Sequence, residues 1–150
     1  VTGFNHGITG GVIALTVKNP ALAVPLSLIS HFLMDPIPHF HYFAEKSKAD
    51  ILNHKFKRFL VFDFLFSVLL MLILGLLFPQ HRWLIWACMI AAAIPDAIWW
   101  FYRNSADRWP GNFDPFTKLH WDVQKKVSFN GIYLEIAWLI IMSVIILEIR

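Results

Sequence analysis

Charge is scarce in this chain of 150 residues: only 15% are Asp, Glu, Lys or Arg, while 57% are hydrophobic. Ordinary soluble domains carry about 25% charged and 45–50% apolar residues. The shortfall excludes a disordered chain and argues against a soluble globule. Cysteine is nearly absent as well. Cys88 stands alone, which excludes an internal disulfide and a Cys-rich zinc site. There is no Gly-rich phosphate loop, no Ser-His-Asp signature and no low-complexity tract, so nucleotide-dependent and serine-nucleophile mechanisms have no footing. The chain starts at Val1 with no basic stretch ahead of its first apolar run, and no cleavable signal sequence is expected.

Apolar length is what the chain has in abundance. Phe59 to Phe78 is almost unbroken, Gly131 to Leu147 contains only Glu135, and Trp83 to Phe101 is interrupted by Pro95-Asp96. About 20 helical residues cross a hydrocarbon core of about 30 Å, so each run spans with its flanks. Pro79-Gln80-His81-Arg82 makes a tight hairpin between two of them. Phe4 to Val17 and Ala21 to Met34 are shorter and are split by Lys18-Asn19-Pro20. These two either extend beyond the runs or form a re-entrant pair. The expected architecture is an all-α polytopic membrane bundle in a single domain. Its five transmembrane or re-entrant helices cover about residues 4–17, 21–35, 56–78, 83–102 and 129–148. Gly7, Gly10 and Gly11 would let a neighbouring helix approach closely.

Positive charge sets the topology. Lys46, Lys48, Lys55, Lys57 and Arg58 share one loop, and Arg103, Arg108, Lys118, Lys125 and Lys126 share another. Both loops fall on the same side, which the positive-inside rule assigns to the cytoplasm. The N-terminus is then cytoplasmic and the C-terminus outside, in a cell membrane. The pI near 9.2 follows from these loops, with no aromatic-basic pattern for nucleic acid. Residues 45–58 read as an amphipathic surface helix with Ile51, Leu52, Phe56 and Phe59 toward lipid. The loop from Asn104 to Ser128 reads as irregular, and the tryptophans, including Trp99, read as interfacial anchors.

Ionisable groups within apolar runs cost about 2.5–3.5 kcal/mol each to insert, so each one is a functional candidate. Here they are His6, His31, Asp35, Asp63, Asp96 and Glu135, and in the topology above all fall in the cytoplasmic half. One polar cluster is the economical reading. Its densest piece is His31-Phe-Leu-Met-Asp35-Pro-Ile-Pro-His39-Phe-His41, in which His31 and Asp35 share a helix face. Pro36 and Pro38 end that helix and let His39 or His41 fold back. Imidazole with carboxylate suits a divalent transition metal, zinc above all. The candidate ligands are therefore His6, His31, Asp35, His39, His41 and Asp96, with Glu135 or Asp63 as general base. His54, His81 and His120 read as loop residues, although His120 could reach the cluster from above. Interhelical hydrogen bonding alone is the competing account of the same residues.

Asn5-His6-Gly-Ile-Thr-Gly10 resembles the N-terminal His-x3-Gly element of the predicted membrane-bound metal-dependent hydrolases. These are small multi-helix proteins whose His and Asp residues are taken to bind a metal. The block from His31 to His41 is similar to the His-x3-Asp-x5-His ligand run of the zinc-dependent phospholipase C and S1/P1 nuclease families. That resemblance implies ligand roles for His31, Asp35 and His41. The later His-x3-Glu pair of those enzymes has no counterpart, since Gly131 stands four residues before Glu135. Three functions are thus in play. The first is a metal-dependent hydrolase acting on an amphiphilic substrate, with membrane lipids as surroundings and partners. The second is a non-catalytic subunit packed among other membrane proteins, and the third, weakest, is an ion pathway.

Overall fold

The computed structural model describes residues 1–40, 54–104, 115–123 and 130–150. Among them are six α-helices and one 3-10 turn. The helices are α1 (Gly3–Val17), α2 (Pro20–Met34), α3 (His54–Leu77), α4 (Arg82–Asn104), α5 (Pro115–Val123) and α6 (Gly131–Ile149). The all-α expectation holds. Three helical stretches are long and apolar enough to cross a membrane: Phe56–Leu77, Pro79–Phe101 and Gly131–Ile149. Helices α1 and α2 have 15 residues each, about 22 Å at 1.5 Å per residue, so five full spans are not seen.

A core that includes Ile8, Leu15, Ile85 and Met89 is buried, yet the outside is strongly apolar too and polar groups are enclosed. Leu33, Leu76, Phe64 and Leu147 lie on the outside, while Asn5, His6, His31, Asp35, His39 and His120 are wholly or almost wholly enclosed. An apolar outside is cheap where the surroundings are themselves apolar. Hydroxyl groups follow the same rule: those of Thr9, Ser27, Ser67 and Ser143 each donate to the carbonyl four residues back.

Helix α1 is the centre of the bundle and touches α2, α3, α4 and α6. Its glycines make this possible. A Cβ at Gly10 would collide with the backbone carbonyl of Cys88, so α1 and α4 pack with almost no side chain between them. The break between α1 and α2 is built by three consecutive residues. Lys18 takes a left-handed conformation (φ 56°), Asn19 accepts from the Ala21 amide at 3.0 Å, and Pro20 opens α2. Pro79–His81 forms the turn between α3 and α4, and Trp86 Nε1 ties these helices by donating to the Met71 carbonyl at 2.9 Å.

Three local expectations change. The region expected to be irregular contains α5, a nine-residue helix that starts at Pro115. Phe56 faces inward, 2% exposed and beside Trp100, because residues 54–58 continue into α3 rather than lying on the surface. Residues 45–53, with Ile51 and Leu52, lie outside the described residues. Trp99 is 6% exposed and packs on the His120 ring, so it is a core residue rather than an interfacial anchor.

Candidate metal centre

The ends of α1, α2 and α4 meet at one end of the bundle, and α5 lies over them. His6 comes from the first turn of α1, His31 and Asp35 from the end of α2, Asp96 from late α4 and His120 from α5. Pro95, fully buried within α4, has no amide to close onto the carbonyl four residues back, which loosens that turn. The adjacent Ala92 carbonyl accepts from His31 Nδ1 at 2.7 Å. This bond commits the Nδ1 proton and turns the Nε2 lone pair toward the cluster.

The donor atoms are spaced like ligands. His31 Nε2, His120 Nε2 and Asp35 Oδ2 form a nearly equilateral triangle with edges of 3.1, 3.1 and 3.2 Å. Metal–ligand bonds of about 2.0–2.2 Å give polyhedron edges of roughly 2.8–3.1 Å in an octahedron and roughly 3.3–3.6 Å in a tetrahedron. The triangle therefore has the dimensions of one face of a coordination shell. Asp35 Oδ1 lies 3.1 Å from His6 Nε2, whose ring stacks on His31 with centroids 4.0 Å apart. Asp96 Oδ1 is 3.2 Å from His120 Nε2 and 3.8 Å from His31 Nε2, and its Oδ2 is 4.0 Å from His6. Two overlapping triads, His31-Asp35-His120 and His6-His31-Asp96, could each hold an ion. Three imidazoles and two carboxylates form a donor set suited to a divalent transition metal.

His120 was the least legible member. Its signal is the Phe116-His120 spacing of four residues behind the helix-starting Pro115, which places both side chains on one face of α5. Phe116 meets Phe32 at 5.7 Å and His120 enters the cluster, while Lys118 and Leu119 stay exposed. Burial disfavours charge on this ring, but hydrogen bonds to Asp35 and Asp96 outweigh it and raise its pKa from 6.5 to about 9. A metal ion at this place must displace that proton.

Asp63 and Glu135 stand next to the cluster in a different setting. The first amides of α1 have no partners within the helix, and these two carboxylates supply them from α3 and α6. Asp63 accepts from Gly3 N at 2.9 Å and Phe4 N at 3.1 Å. Glu135 accepts from Thr2 N at 3.1 Å, from Thr2 Oγ1 at 2.6 Å and from Asn5 Nδ2. Neither belongs to the triads among the described residues.

His39 is buried just outside the triads. Its Nδ1 donates to the Ile37 carbonyl at 2.8 Å, and its Nε2 meets no hydrogen-bond partner among the described residues. Burial pushes its pKa below the ordinary imidazole value. Gly131 packs directly on the His39 backbone, where a Cβ would overlap the carbonyl group. His41 lies outside the described residues. His81 sits in the 3-10 turn at the other end of α4, away from the cluster, and His54 is exposed at the start of α3. Comparison with protein-family models, with curated proteins and with solved structures gives no match.

Proposed function

We propose that this protein is a membrane-embedded, metal-dependent hydrolase. It acts at the cytoplasmic interface on an amphiphilic substrate of the phospholipid or isoprenoid phosphate kind. The observation that carries the reading is the His31-His120-Asp35 triangle, with edges matching a coordination face and all three side chains fully buried. Helix packing by hydrogen bonds alone has no need to aim two imidazole Nε2 atoms at each other beside two carboxylates.

In this reading His6, His31, Asp35, Asp96 and His120 provide the metal's ligands, with zinc the first candidate. A bound divalent ion supplies Lewis acidity toward a phosphoryl or acyl oxygen and toward water. Asp63 and Glu135 act indirectly, by holding the start of α1 so that His6 points inward. The ten basic residues of the two inner loops draw an anionic head group toward this end of the bundle. The resemblance to membrane-bound metal-dependent hydrolases points the same way.

Elemental analysis of protein purified in mild detergent tests the reading. About one equivalent of a transition metal is expected, lost in His31→Ala and Asp35→Ala. Protein that folds, stays metal-free and takes up no added zinc would instead favour the non-catalytic subunit.

A further inference from the structure

We infer that this end of the bundle holds two divalent ions side by side, with Asp35 and Asp96 bridging them; this rests on the metal reading above and sets the number of ions. The decisive pair is His6 and His31. Their rings stack with centroids 4.0 Å apart and planes only 23° from parallel. An imidazole lone pair lies in the plane of its ring, so a metal bonded to it sits close to that plane. Two stacked rings therefore aim at two points, separated by roughly the 3.5–4 Å of two-metal sites. A single ion at about 2.0–2.2 Å from one Nε2 would lie far out of the plane of the other ring. His6 and His31 thus belong to different ions, and the triad His6-His31-Asp96 divides between them.

The carboxylates divide in the same way. Asp35 turns Oδ1 toward His6 at 3.1 Å and Oδ2 toward His31 and His120 at 3.1 and 3.2 Å. Asp96 turns Oδ2 toward His6 at 4.0 Å and Oδ1 toward His120 and His31 at 3.2 and 3.8 Å. Each carboxylate presents one oxygen to His6 and the other to the His31-His120 pair, which is the disposition that joins two metals. The first ion takes His31 Nε2, His120 Nε2, Asp35 Oδ2 and Asp96 Oδ1. The separations in this set that include an imidazole run from 3.1 to 3.8 Å, around the roughly 3.3–3.6 Å edges of a tetrahedron. The second ion takes His6 Nε2, Asp35 Oδ1 and Asp96 Oδ2, with one imidazole where the first has two. It also enters beside a cation already in place, which repels it. Loading is therefore sequential, and protein that carries about one equivalent after purification is half loaded.

The test titrates Co2+ into chelator-treated protein in detergent micelles. Bound ion is counted by equilibrium dialysis, and its electron paramagnetic resonance is followed at low temperature. Wild type should take up two equivalents, the second about tenfold or more weaker than the first. The first should give the signal of an isolated ion, and the second should broaden or quench it, because spins about 4 Å apart couple. His6→Ala should keep the first equivalent within about fivefold and lose the second. Uptake that stops at one equivalent in wild type overturns the pair and leaves a single-metal site standing. Two equivalents with independent signals place the ions apart and overturn the shared carboxylates. A His6→Ala protein that still binds two, or that keeps its helical circular dichroism and binds none, overturns the division of His6 from His31. His6→Gln repeats the comparison if the alanine variant loses its helical signal. Wild type that binds no Co2+ overturns the metal reading beneath, and is recognised by failing at the first step.

Discussion

His31 Nε2 and His120 Nε2 face each other at 3.1 Å, although 89 residues separate them in the chain. Because His31 Nδ1 donates to Ala92, the His31 nitrogen facing His120 carries a lone pair unless the ring is charged. Two such nitrogens at contact distance need a cation between them or a proton shared across them. His120→Ala should accordingly cost more than about tenfold in metal affinity and leave the membrane helices intact. Isothermal titration with Zn2+ and circular dichroism on the same sample would show both. Unchanged affinity would remove α5 from the site.

The raised pKa of His120 makes the stability of metal-free protein depend on pH. The folded-state value is about 9 against 6.5 ordinarily. The charged ring therefore stabilises the fold fully below pH 6.5, and that contribution, up to about 3 kcal/mol, is lost as pH rises through 9. Thermal melts of chelator-treated protein should drop between pH 6.5 and 9, and the drop should vanish in His120→Gln. Zinc uptake at pH 7 should release protons, detectable as buffer-dependent heats.

Glu135→Ala should destabilise strongly, because it leaves the Thr2 amide and hydroxyl without their buried acceptor and the Asn5 amide group with only the backbone carbonyl of residue 135. About 2–4 kcal/mol is expected from groups of this kind. Asp63→Ala, facing partly buried amides of Gly3 and Phe4, should cost about 1–2 kcal/mol. Melting temperature and metal affinity should fall together in both variants. A Glu135→Gln protein with normal melting and metal content but no hydrolysis would assign Glu135 as the general base.

Gly10→Ala should loosen the contact of α1 with α4, since the new methyl meets the Cys88 carbonyl, which has no freedom to retreat within a helix. A loss of about 1–3 kcal/mol follows from overpacking. The same change at Gly7, whose Cβ would sit 3.5 Å from the Met89 methyl, should be nearly neutral. The pair separates close backbone packing from a general preference for glycine in lipid.

Much of this site was legible because long apolar runs make polarity conspicuous. His6, His31, Asp35 and Asp96 stood out as exceptions within apolar runs, and the up-and-down order of the helices placed them at one end. His120 did not stand out, because α5 is short and polar and a histidine there is unremarkable. Asp63 and Glu135 stood out for the same reason as the candidate ligands. Their partners are backbone amides of another helix, which carry no side-chain signature.

The chain by itself determined an all-helical protein with three segments long and apolar enough to cross a membrane, and the end of the bundle where its ionisable groups collect. Hydrophobic run length and the cost of burying charge are properties of composition along the sequence, and they need no folding to be read. Which carboxylate meets imidazole, which meets the first turn of α1 and which remains partly exposed were decided only by the tertiary structure. Those outcomes depend on distances of a few tenths of an ångström, set by how closely α1 packs on α4 and by where α5 lies over the bundle. No spacing within the sequence encodes them.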